Sequence, residues 1–250
     1  MGRLYANSPL FEALCEFQFE PNQPWDWTIP GLVYDKVKNE FPKKKQQNVI
    51  EMEARIEQNE LMPSIKKGGV ARLQFLREDE TALIQVGQNL LVVNQLRPYP
   101  TWGKFQEMIK SGLANYCDVA NPKALKRIGL RYINRLEIPE AEVRIEDYIL
   151  AVPTIPEPIP QVFATWIQRV EIPFEDSNGL MVMQSGLIKH GEPNKISFLL
   201  DLDFITLDVR EIKLESAMDW LEKAHDAVEK TFEVCITDKS RALFKEVQNG

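Results

Sequence analysis

Arginine and aspartate recur at strand spacing in the second half of this chain, and their types set the chemistry to look for. In KRIGLRYINRLEI (126–138), Arg127, Arg131 and Arg135 alternate with an apolar set of Ile128, Leu130, Tyr132, Leu136 and Ile138, which Asn134 interrupts. Side chains two apart on a strand leave by the same face, so the guanidinium groups and Ile133 emerge opposite the apolar set. In the strand at 195–207, Ile196, Phe198, Leu200, Leu202 and Phe204 form the apolar face, and Asp201 and Asp203 project from the other. Placed in one sheet, three arginines and two aspartates would share a surface. Cross-strand ion pairing is the ordinary outcome, each pair being worth ~0.2–1 kcal/mol. The functional outcome is an anion or peptide-carboxylate site on Arg131 and Arg135, with the aspartates orienting the guanidinium planes.

Two carboxylates two apart could also hold a divalent cation. Downstream, Glu211-Ile212-Lys213 completes an order of Asp201, Asp203, Glu211 and Lys213 that is similar to metal-dependent nucleases, where carboxylates hold the metal and Lys polarises water. That tripeptide is common by chance, and Lys213 sits in the approach to a helix. His190 lies in the polar turn KHGEPNK, while His225 falls on the apolar stripe Leu214, Met218, Leu221, Val228, Phe232 and Cys235, which predicts a core histidine. Two separate histidines make no zinc pattern. There is no G-x-S-x-G, no cysteine has a histidine near it in sequence, and Gly68-Gly69 and Gly186 lack phosphate-loop spacing. The sequence predicts no catalytic residue, no metal ligand and no cofactor.

The elements that must position these side chains are legible as alternation and stripes. FEALCEFQFE (11–20) puts Ala13, Cys15, Phe17 and Phe19 on one face. A helix follows, with Thr28 as cap, Pro30 in its first turn and Ile29, Val33, Val37 and Phe41 as its stripe. NVIEMEARIE (48–57) alternates again, and short strands near 71–77, 81–86 and 90–96 form a meander. A second helix begins after Pro100, capped by Thr101, buries Trp102, Phe105, Ile109, Leu113 and Tyr116, and stops at Asn121-Pro122. The second half repeats the order: strand 126–138, a short helical piece near 145–150, the connector VPTIPEPIP, strands near 161–173, 179–188 and 195–207, then a helix from Ser216 to Cys235, with Ser216 and Asp219 as a capping box. A last helix begins after Thr237. The predicted fold class is α+β, with two similarly ordered halves (1–122 and 123–250) of antiparallel sheet and helices packed on one face, or one continuous domain. Trp25, Trp27 and Trp102 at helix starts read as staples between helix and sheet.

Charge narrows the partners. The 250 residues carry 30 Lys and Arg against 37 Asp and Glu. Residues 1–125 balance at 15 of each sign, so the excess of seven acids lies wholly in the second half. An acidic balance disfavours nucleic-acid binding by the isolated chain, and the one basic cluster, Lys43-Lys44-Lys45, reads as a solvated loop after a helix. No window approaches the ~18–20 apolar residues of a membrane span. The opening residues show no secretory leader and the three cysteines are scattered, which together predict a cytoplasmic protein without membrane contact.

Five stretches carry a resemblance: YANSPLFEALCEFQF, VGQNLLVVNQLRPYPTWGKF, RIGLRYINRLEIP, LDLDF and WLEKAHDAVEKTFEVCITDKSRALF. In this order they resemble a sporadically distributed bacterial family of about 250-residue hypothetical proteins, over nearly the whole chain. The resemblance implies no established activity. It implies a gene of mobile or defence loci with a partner gene alongside, and motif residues at Arg131, Tyr132, Asn134, Arg135, Asp201 and Asp203. The expectation is a non-catalytic macromolecule-binding protein, antitoxin-like or an accessory subunit of a bacterial antiviral defence system, CRISPR-associated among them, with a protein partner encoded nearby. Its binding residues would be Arg127, Arg131, Tyr132, Asn134, Arg135, Asp201 and Asp203. The alternatives are the metal-dependent hydrolase above and a sensor of a small anion through Arg131 and Arg135.

Overall fold

Alternating apolar strands that each carry one hydrophobic face must bury it together, and here they do so in one sheet. The structure, a computed structural model, describes residues 3–57, 60–140, 143–188, 195–208 and 212–247, with the backbone alone described over 48–71. Its strands are β1 (Leu10–Glu20), β2 (Lys43–Glu57), β3 (Glu60–Leu76), β4 (Ala82–Gly87), β5 (Leu90–Leu96), β6 (Ala124–Ile138), β7 (Ile167–Phe174), β8 (Gly179–Ile188) and β9 (Ile196–Thr206). They form an antiparallel nine-stranded sheet in the order β2-β3-β4-β5-β1-β6-β9-β8-β7. The first 122 residues supply five strands and the rest supply four, and β1 and β6 join them at the centre. Outward from β1 the chain runs β5, β4, β3, β2; outward from β6 it runs β9, β8, β7. Each half thus returns its last strand to pair with its first.

The α-helices among the described residues lie on one face. They are α1 (Ile29–Val37), α2 (Trp102–Ala120), α3 (Ala217–Cys235) and α4 (Asp238–Phe244). The predicted inward set, Ala13, Cys15, Phe17 and Phe19 on β1, meets Ile128, Leu130 and Tyr132 on β6 and Phe198, Leu200, Leu202 and Phe204 on β9 in a single core. Tyr116 of α2 stacks on Phe19 at 4.7 Å between ring centroids, and Trp220 of α3 stacks on Phe204 at 5.7 Å. Thr101 caps α2 by accepting from the Lys104 N–H, and left-handed Asn121 closes it. Thr237 likewise caps α4 through the Ser240 N–H.

Three local expectations change. Lys43-Lys44-Lys45 begins β2 and is no loop: Lys43 and Lys45 reach Glu80 across the sheet, and Lys44 lies over the Tyr34 ring. A run of lysines suits an edge strand, where like charges discourage pairing with another chain. Thr28 and Ser216 stand at the heads of α1 and α3 but make no side-chain cap bond, so the Ser216–Asp219 box is absent. The strand predicted near 71–77 is the end of the longer β3, which pairs with β2 in register from Glu57↔Glu60 to Lys43↔Leu76.

One glycine in β8 is fixed by close approach. A Cβ at Gly179 would fall 2.0 Å from Cζ of Phe204, a ring held between Phe174 and Trp220 with no exposed surface. We expect Gly179→Ala to lower stability by about 2 kcal/mol, because the ring has no free volume to enter. Urea denaturation of the variant against wild type measures it, and an unchanged midpoint would contradict this packing.

Candidate functional site

The arginine and aspartate sets do share a surface, the sheet face away from the helices. Register sets Arg131 opposite Asp203 and Ile133 opposite Asp201. Arg131 takes the diagonal partner: its Nε donates to Oδ1 of Asp201 at 2.7 Å and its Nη2 to Oδ2 at 2.5 Å. This two-pronged pair holds a carboxylate that is only 3% exposed. Arg127 bridges two strands, with Nη1 on Oε1 of Glu16 in β1 at 2.6 Å and Nη2 on Oδ2 of Asp203 in β9 at 3.5 Å. It crosses β6 over Gly129, where a Cβ would lie 3.6 Å from Nη2 and 3.3 Å from Ile205. Burial raises the Asp203 carboxyl above its ordinary range, and Arg127 and Arg131 offset part of that rise. Arg135 pairs with Glu137 on its own strand at 3.0 Å.

A line of amides continues this row across the first half. Gln74 of β3 donates to Gln85 of β4 at 3.1 Å, Gln85 to Asn94 of β5 at 2.9 Å, and Asn94 to Glu12 of β1 at 2.6 Å. Gln85 and Asn94 each accept on the oxygen and donate from the nitrogen, so the chain has one direction and ends on a carboxylate beside Arg131. Glu12, Gln85 and Asn94 alternate with apolar residues, a signal that sequence offers, but which amide meets which depends on register.

Tyr132 and Asn134 lie on the opposite side, toward the helices, and so apart from the five charged candidates. Asn134 is buried and donates to the Tyr132 and Leu200 carbonyls. Tyr132 belongs to a hydrogen-bond chain that sequence spacing did not show. Its hydroxyl lies 3.0 Å from the Tyr99 hydroxyl and 2.9 Å from Nδ1 of His225, and Nε2 of His225 lies 3.3 Å from Glu229. With Nε2–H facing the carboxylate, Nδ1 accepts from Tyr132 and Tyr132 accepts from Tyr99. Trp102 stacks on the imidazole at 4.2 Å while its indole N–H donates to Glu222 at 2.9 Å. Trp102 therefore staples the start of α2 to α3. Desolvation pulls the imidazole down to about 4, and Tyr132 and Tyr99 are pushed up, again by burial.

For the hydrolase arrangement, Asp201 and Asp203 are already held by arginines, Lys213 lies in the coil before α3, and Glu211 lies outside the described residues, as does His190. Among the described residues, no three His, Cys, Asp or Glu side chains gather as a metal ion would require. The described cysteines Cys15, Cys117 and Cys235 are unbridged, and burial raises all three thiols. No helix among the described residues is long and apolar enough to cross a membrane. Compared with known proteins, the chain matches no family model and no curated protein.

Proposed function

We propose that this chain is a non-catalytic binding protein that receives a strand of a protein partner along the free edge of β7. The carrying observation is the character of that edge. Among the described residues β7 pairs only with β8, so its other side offers N–H and C=O groups to an incoming strand. Ile167 is 85% exposed at its start, and Val170 and Ile172 are 41% and 37% exposed. A natural edge is ordinarily guarded by charge; this one carries a single close pair, Arg169 with Glu171. The charged row supports a protein over a nucleic acid: Arg127, Arg131 and Arg135 stand against Glu12, Glu16, Asp201 and Asp203, which leaves no positive field for phosphates. An antitoxin-like neutraliser or an accessory subunit of a bacterial defence system, CRISPR-associated or other, works by such binding, and a gene alongside is the natural source of the partner.

Co-expression with the product of the adjacent gene tests the reading. A stable complex should survive gel filtration and be lost in Ile167→Lys/Ile172→Lys, with the variant still folded by circular dichroism. A chain that elutes as a dimer sealed through β7, or a complex indifferent to those substitutions, would refute it.

A further inference from the structure

We propose that the end of the sheet where β1, β5 and β6 meet carries a binding site for a small ligand bearing two or more phosphate charges, separate from the β7 edge and independent of that reading. A cavity of about 1030 Å³ opens there between the two halves of the chain. Its apolar wall includes Phe19, Leu90, Leu125 and Ile212, and its charged wall holds Arg72, Lys123, Lys126 and Lys213 against Glu20 and Glu215. Lys123 is paired with Glu20 at 2.6 Å. Arg72, Lys126 and Lys213 have no ion-pair partner among the described residues, although the chain as a whole is acidic.

The backbone brings these three cations together from distant parts of the sequence. Arg72 stands at one end of a cross-strand row in which Gly87, Leu90, Gln18 and Arg127 follow in turn. Opposite the Gln18–Phe19 step, β6 slips register, so that Gln18 pairs with Arg127 and Phe19 with Leu125. Lys126 is the extra residue of this bulge; alternation alone would turn it toward the helices with Ile128, yet it is exposed on the cavity wall. Bulges are a recognised means of re-aiming one side chain. Lys213, itself exposed, enters from the segment just before α3. Three unpartnered cations around one concavity with apolar walls repel one another and focus positive potential inward, and a multiply charged anion relieves that repulsion. Diphosphate and triphosphate groups present charge on several oxygens to separate donors, as Arg and Lys donors require. Arg131 and Arg135, the residues the sequence suggests for an anion, already face Asp201 and Glu137.

The test is calorimetric titration of the full chain with pyrophosphate and, separately, ATP in 50 mM and 500 mM NaCl. Saturable binding of either probe at low salt, weakened tenfold or more at high salt, is expected. Lys126→Ala/Lys213→Ala should weaken it at least tenfold, and Arg72→Ala should do so alone. Lys126 and Lys213 are exposed, so the double variant keeps the wild-type melting temperature. Ile167→Lys/Ile172→Lys leaves pyrophosphate binding unchanged, which separates this site from the β7 edge. Absence of saturable binding at 5 mM probe, or equal binding by wild type and the double variant, would overturn the site.

Discussion

Arg131→Ala should lower the stability of this protein by about 3 kcal/mol, the largest effect expected from any single surface arginine. The reason lies in what stays behind. Asp201 is 3% exposed and takes both of its close hydrogen bonds from Arg131. Removing one partner of a buried pair leaves an uncompensated charge, a change worth ~3–5 kcal/mol; the partial exposure of Arg131 places this pair at the low end, since water can enter the gap. Arg131→Ala/Asp201→Asn should recover most of the loss, because the neutral amide no longer requires a cation. Arg131→Lys should fall between, keeping the charge and losing the second prong. Chemical denaturation of the four proteins measures this. If Arg131→Ala stays within 0.5 kcal/mol of wild type, the arginine is not holding Asp201 in place, and the peptide-carboxylate reading of this residue regains its force.

That prediction marks how far alternation reaches. The period of two correctly separated Arg127, Arg131, Asp201 and Asp203 from Tyr132 and Phe204, because sheet geometry forces it. It also found the core faces of β1, β6 and β9, and the stripe on which His225 sits. The pairing of Arg131 with Asp201, not with its register neighbour Asp203, was beyond it: the choice is diagonal and depends on strand twist and side-chain reach. Lys126 escaped for another reason. A bulge breaks the period at this residue, and only the partner strand reveals the slip. The lysines of β2 look like a loop in sequence because three like charges stand beside Pro42, while Glu80, which pairs with Lys43 and Lys45, lies 37 and 35 residues on. Tyr99, Tyr132 and His225 come from a coil, a strand and a helix, and no local pattern links them.

The same chain of hydroxyls and imidazole makes the fold acid-sensitive through one histidine. His225 is 7% exposed, sandwiched between Trp102 and Tyr132, and desolvation brings its folded value down to about 4 from an ordinary 6.5. The folded state therefore binds fewer protons than the unfolded state between those two values, so stability falls as pH falls from about 6.5 to about 4. A depression of that size corresponds to about 3 kcal/mol. Glu222 and Asp226 work against the depression, since their charges favour an imidazolium. Burial raises the Glu229 carboxyl above its ordinary 4.5, and this group acts in the opposite sense, gaining protons in the folded state and returning part of the stability as pH falls toward that ordinary value. His225→Gln keeps an acceptor for Tyr132 and a donor for Glu229 but cannot titrate. Urea midpoints at pH 7, 6, 5 and 4 should fall steeply for wild type and more shallowly for the variant, the two curves converging toward pH 4. Parallel curves would show that the imidazole stays uncharged in both states or charged in both, and that the acid loss comes from elsewhere in the sheet.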